Sequence, residues 1–188
     1  MTTPIPAPRY DATLRTLHWA MAAIIIAAIA LGVVAAFLTP GTSPRVEILT
    51  IHKSLGMTAL VLIVLRVAWR VSVGAPPYSA SLGLPSRIGA HAAHIALYAL
   101  MIAMPVSGYI DSVIGGHPTS WFGLFDWPGL IARNDALARA AGVVHYRLAW
   151  ALGAALALHL VAVAWHAWVT RDDVFARMGP ARAGGANG

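Results

Sequence analysis

Four stretches of this chain are almost continuously apolar, at about 16–38, 49–72, 90–113 and 143–169. Each reaches the roughly 20 residues that a helix needs to cross about 30 Å of hydrocarbon. Polar, proline and glycine residues gather between them, in "TPGTSPRVE" after the first stretch and "VGAPPYSASLGLPSR" after the second, which is loop chemistry. The first stretch is longer than the 7 to 15 residues of a secretory signal core, so it is read as a retained helix. The pattern predicts an all-α, integral membrane four-helix bundle, one transmembrane domain over residues 1–188.

The third connection differs in kind. "GGHPTSWFGLFDWPGLIARNDALARA" mixes Trp121, Phe122, Phe125 and Trp127 with charges and two prolines, and aromatic clusters of this sort suit the headgroup layer. Its later part, about 129–141, is expected to form a short surface helix. The Gly- and Ala-rich end, about 179–188, has no periodicity and is expected to be unstructured.

Composition sharpens this picture. The chain of 188 residues is 59% hydrophobic and 11% charged, too little polar surface for a soluble domain of this size. It contains no cysteine, which excludes disulfides, thiolate metal sites, iron–sulfur clusters and covalently attached c-type haem. The net charge of +6 comes from thirteen scattered Lys and Arg residues with no basic run, so it speaks for topology and against nucleic acid. With both termini on one side, Arg9, Arg15, Arg66, Arg70, Arg87, Arg171, Arg177 and Arg182 lie there, against Arg45, Lys53, Arg133, Arg139 and Arg147 on the other. Eight against five predicts a multi-pass protein of the bacterial inner membrane with cytoplasmic termini.

Histidines carry the candidate chemistry. The step of 14 residues from His145 to His159 keeps nearly one helix face while descending about 21 Å. His18 lies near the inner end of the first helix and His52 near the outer end of the second. Depth pairs His52 with His145 and His18 with His159. A lone intramembrane histidine is as readily an interhelical hydrogen-bonding group, but two depth-matched pairs are what two b-type haems, each held by one nitrogen above and one below the iron, require.

These residues resemble the bacterial di-haem cytochrome b561 family. The resemblance rests on "LHW" in the first helix, "IHKSLG" opening the second, "AHAAHIALYALMIAMPVSGY" in the third, and the histidines and "RDDVFARMGP" of the fourth. It implies that His18, His52, His145 and His159 are the axial iron ligands of two non-covalent haem b groups. It implies also an oxidoreductase that takes electrons from superoxide at the periplasmic face and passes them to ubiquinone. The alternative is a cytochrome b subunit linking quinone to a partner dehydrogenase or periplasmic redox protein. Lys53 and Arg147, beside the outer ligands, would attract superoxide or neutralise a haem propionate.

Other residues are weighed beside these. Arg15 and Trp19 flank His18 as partners of a haem edge and propionate, or as interfacial anchors. Gly56, one turn after His52, removes a side chain where a macrocycle would approach, with Gly108 and Gly153 as similar candidates and close helix packing as the competing account. His91 and His94 make an H-x-x-H pair with no third ligand nearby, which suits hydrogen bonding to a propionate or a neighbouring helix better than a metal. His166, seven residues after His159, could compete with it; the family pattern favours His159 and leaves His166 to the inner interface or a quinone pocket. His117 falls in the outer loop, Arg66 and Arg70 are read as snorkelling to the inner surface, and Pro105 is expected to kink the third helix.

Overall fold

The computed structural model describes residues 8–78 and 82–179. Arg182 and the expected tail beyond Gly179 lie outside the described residues. Four long helices, α1 (Ala12–Phe37), α2 (Ser43–Val73), α3 (Leu84–Ile114) and α4 (Asp135–Trp165), account for most of the chain. A π-helical turn (His166–Thr170) prolongs α4, and a short α5 (Val174–Met178) follows. All four long helices are long and apolar enough to cross a membrane, and large side chains such as Phe37, Val71, Trp150 and Leu158 stand exposed on their outer faces, where lipid would meet them.

Each helix begins several residues before its apolar stretch. Hydropathy marks where hydrocarbon starts, whereas the backbone starts its helix at a cap. Asp11 accepts hydrogen bonds from the backbone N–H groups of Thr13 and Leu14 at 2.9 and 3.3 Å, and Asn134 does the same for Ala136 and Leu137 at 3.1 Å. α2 and α3 each carry a proline in the first two positions, Pro44 and Pro85, where the missing N–H costs nothing. Gly74, at φ 77°, ends α2.

The third connection corrects the sequence reading. No separate helix forms over 129–141: residues from Asp135 onward are the first turns of α4, because Asn134 caps the helix there. Instead, β1 (Ser120–Trp121) and β2 (Phe125–Asp126) pair antiparallel. The chain reverses through Phe122 and Gly123, both in the left-handed region at φ 51° and 74°, as a tight hairpin turn demands. The hairpin sits on α2: Ser54 Oγ donates to the Ser120 carbonyl at 3.0 Å and accepts from Phe122 N–H at 2.9 Å. Trp121 Nε1 donates to Thr58 Oγ1 at 3.0 Å.

α1 packs along α2, α3 along α4, and the two hairpins meet through α2 and α3; α1 and α4 approach far less closely. One end of the bundle gathers the first and last described residues and the start of the α2–α3 connection, through Arg177 donating to the carbonyls of Pro8, Pro76 and Pro77. This is called the terminal end, and the end covered by the β1–β2 hairpin the distal end. Between them lies an apolar layer of Met21, Ile25, Ala59, Ile63, Leu97 and Leu152, drawn from all four helices.

Candidate functional site

The apolar layer separates two levels of histidine. At the distal level the rings of His52 on α2 and His145 on α4 face each other with centroids 6.2 Å apart and planes crossed at 89°. Nearer the termini, His18 on α1 and His159 on α4 lie 6.4 Å apart, crossed at 67°. The pairs predicted from depth are brought together. The third helix adds a ring that depth alone did not pair: His94 lies 6.1 Å from His159. Its signal was present, since it sits on α3 about as far from the terminal end as His159.

The distal rings are held from behind. His52 Nδ1 donates to the Ala28 carbonyl of α1 at 2.8 Å. His145 Nδ1 donates to the Met104 carbonyl of α3 at 3.0 Å, with Ser107 Oγ 3.1 Å away. A carbonyl only accepts, so each Nδ1 carries the proton and each Nε2 keeps a lone pair. Both carbonyls are reached past a glycine one turn later. On a helix the Cβ at position i+4 leans back over the carbonyl at i. A Cβ at Gly32 would come within 3.0 Å of His52 Cε1, and one at Gly108 within 2.7 Å of His145 Cε1. Gly56 is placed otherwise, with only Pro105 Cβ in range at 4.0 Å, and Gly153 faces open space.

At the terminal level the supports are cations and chain ends. Arg15 donates to the Gly179 carbonyl at 3.2 Å through Nη1, while its Nε is buried without a partner among the described residues. Trp19 stands edge-on to His18 at 5.3 Å and donates its indole N–H to the Met178 carbonyl at 2.9 Å. His166 opens the π turn, and its Nδ1 contacts Asp172 Oδ2 at 2.5 Å. Burial pushes the Asp172 carboxyl up, but hydrogen bonds from His166, the Val174 N–H and Thr170 outweigh it and hold the group below its ordinary value. His91 is exposed.

Arg66 departs from the sequence reading. It does not snorkel to the surface: it is 5% exposed and donates through Nη1 to the Leu14 carbonyl at 2.5 Å. It lies 14 residues after His52, which turns it to nearly the same inward face. Arg70, one turn on, stacks over Tyr10 at 5.3 Å instead. α3 runs on as helix through Pro105.

At the distal mouth Lys53 donates to the Pro118 carbonyl at 3.3 Å, and Arg147 is exposed. Beneath the hairpin lies a cavity of about 300 Å³ lined by Val113, His117, Thr119, Trp127 and Ile131 among others. Thr119 Oγ1 and Trp127 Nε1 are buried there without a partner among the described residues. They are cross-strand neighbours, since Trp127 N–H donates to the Thr119 carbonyl at 2.9 Å. The sequence pointed to the aromatics here but not to the pocket.

The arrangement suits haem. An iron midway between either pair would lie about 3.1 to 3.2 Å from each ring centre, half the separations of 6.2 and 6.4 Å. That matches a metal–imidazole bond of about 2.0 Å plus the distance from nitrogen to ring centre. No group of three or more His, Cys, Asp or Glu among the described residues could hold a bare metal ion.

A family model described as prokaryotic cytochrome b561 matches residues 9–181. The chain is 34% identical over 170 residues to "Cytochrome b561 homolog 2" of Escherichia coli (strain K12), covering 90% of each. It is 29% identical over 171 residues to "Probable superoxide oxidase CybB" of Yersinia pestis, covering 89% of this chain and 94% of that protein.

Proposed function

Because this chain belongs to the prokaryotic cytochrome b561 family, a family of helical membrane electron-transfer proteins that bind b-type haem, we propose that it holds two haems. His52 and His145 would ligate one, His18 and His159 the other. The observation that carries this is the pair of facing imidazoles at each of two levels, 6.2 and 6.4 Å apart, with an apolar layer between. Iron held by two imidazoles exchanges single electrons and offers no open position to dioxygen.

We propose further that the electrons come from superoxide at the distal face and leave to ubiquinone at the terminal face, in the bacterial inner membrane with the termini cytoplasmic. Two superoxide anions give up one electron each and become dioxygen; one quinone takes both electrons with two protons and becomes the quinol. Lys53 and the exposed Arg147 would raise the local concentration of the anion at the distal mouth. The terminal end would serve the quinone. His166 and Asp172, joined through Nδ1, are placed to pass protons there, and a π turn is a frequent mark of a functional position. The name of the Yersinia pestis relative supports the superoxide reading.

The test has two stages. Redox difference spectra with haem quantification should give two haems in the wild type and one in each of His18→Ala and His52→Ala; two haems retained in either variant would overturn the ligand assignment. Superoxide should then reduce the loaded protein, and the reduced protein should reduce ubiquinone. Failure of superoxide to reduce it, with haems intact, would leave an electron-transfer subunit that draws on a partner dehydrogenase or periplasmic redox protein.

A further inference from the structure

A haem b is apolar except for its two propionates, and inside a bundle those carboxylates must reach water or a cation. Arg66 presents the complementary problem. Its guanidinium is buried, 5% exposed, and among the described residues it has one hydrogen-bond acceptor, the Leu14 carbonyl, and no carboxylate partner. A buried cation without a counter-ion is costly, because its lost hydration is not replaced.

The position of Arg66 says which anion would pair with it. On α2 it follows His52 by the same 14 residues that separate His145 from His159 on α4, and both helices run from the distal to the terminal end. Arg66 therefore stands at the level of His159, on the inward face of its helix. The carbonyl it holds belongs to Leu14, one turn from His18 towards the terminal end, which is the turn that the His18 side chain leans over. Arg15, adjacent to Leu14 and with its Nε buried and unpartnered among the described residues, offers a second donor near that carbonyl.

We propose that Arg66 is the clamp for a propionate of the terminal haem, a positioning residue that sets the haem's rotation about its iron–imidazole axis and neutralises its carboxylate inside the bundle. Arginine suits this role because its planar fork can meet both oxygens of a carboxylate at once. The inference rests on the two-haem reading, and its test is chosen to fail separately from it.

Holoprotein is prepared with haem carrying ¹³C at the propionate carboxyls, as wild type, Arg66→Lys and Arg66→Gln. Redox difference infrared spectra then report the labelled carboxylates alone. A shift of one labelled band in Arg66→Lys, where charge is kept but the fork is lost, is the expected result. In Arg66→Gln, transfer of one haem to a soluble scavenger should be about tenfold faster or more, the loss expected for a charge-assisted hydrogen bond. That haem should be the one missing from His18→Ala, while the other is unaffected. Labelled bands identical in wild type and Arg66→Lys, or equal acceleration of both haems in Arg66→Gln, would overturn the clamp. If instead His18→Ala and His52→Ala each failed to remove one haem, the two-haem assignment would fall, whatever Arg66 does.

Discussion

His145 and His159 occupy one face of one helix, yet their surroundings are built from different materials. The distal ring is fixed by backbone: a carbonyl takes its Nδ1 proton, a glycine lets it approach, and its partner His52 is held the same way from α1. Among the described residues the His159 ring has none of these. It has two imidazoles within reach, His18 and His94 at 6.4 and 6.1 Å, and its partner His18 is flanked by Trp19, which donates to the folded-back chain end. Orientation at the distal pair is thus a property of rigid helices, whereas at the terminal pair it depends on side chains that can rearrange. A hydrogen bond to the far nitrogen of a ligating histidine fixes its tautomer and raises its basicity, so the two proposed haem sites should differ in rigidity and in response to substitution.

The largest break in that contrast should come from Gly108→Ala. The added methyl would lie 2.7 Å from His145 Cε1, a ring already anchored to Met104 and Ser107, so the ring must leave its place. Overpacking of this kind costs about 1 to 3 kcal/mol. The distal haem should be lost or bound about tenfold more weakly, with the terminal haem retained. Haem quantification by difference spectroscopy checks this; equal loss of both haems would show that the glycine serves the fold and not one ring.

His94→Ala sharpens the comparison from the other side. If His18 is the ligand, the variant keeps two haems, and release of the terminal one accelerates by a few-fold as a neighbouring ring is removed. Should His94→Ala lose the haem while His18→Ala keeps it, the terminal site would belong to α3 and α4. At the distal end, among the described residues, each ring faces one other imidazole.

What could be read from the sequence follows the same division. Helix number and histidine depth were legible because hydropathy and a rise of about 1.5 Å per residue are one-dimensional properties. The helix starts are not legible in hydropathy, because Asp11, Thr42, Gly83 and Asn134 begin their helices outside the apolar stretches. Which glycine backs a ring was not legible: Gly32, Gly56, Gly108 and Gly153 look alike along the chain, and only the neighbouring helix tells Gly32 and Gly108 from the others. Arg66 was misplaced although the same 14-residue step that paired the histidines applies to it, since a cation near a helix end invites a surface reading. The β1–β2 hairpin left a signal in the glycine among aromatics of "SWFGLFDW".

The smallest effect concerns the chain end that closes the terminal site. Asp172 binds His166 and Thr170 at 2.5 and 2.8 Å and takes the Val174 N–H at 3.0 Å, which ties the π turn to α5. Those bonds need the ionised carboxylate, and despite the opposing effect of burial they hold its pKa below the ordinary 3.8. A depressed carboxyl contributes stability that is fully present above the unfolded-state value and is lost as pH falls through the folded one. Acidification below about pH 4 should therefore loosen the terminal end before the distal end, where among the described residues no carboxylate is hydrogen-bonded to a histidine. Release of the terminal haem should quicken by a few-fold over that window in the wild type. In Asp172→Asn it should already be faster at neutral pH and change less on acidification. Parallel acceleration of both haems, unaltered by the substitution, would mean that the two ends share one acid response and that the chain-end clasp does not distinguish them.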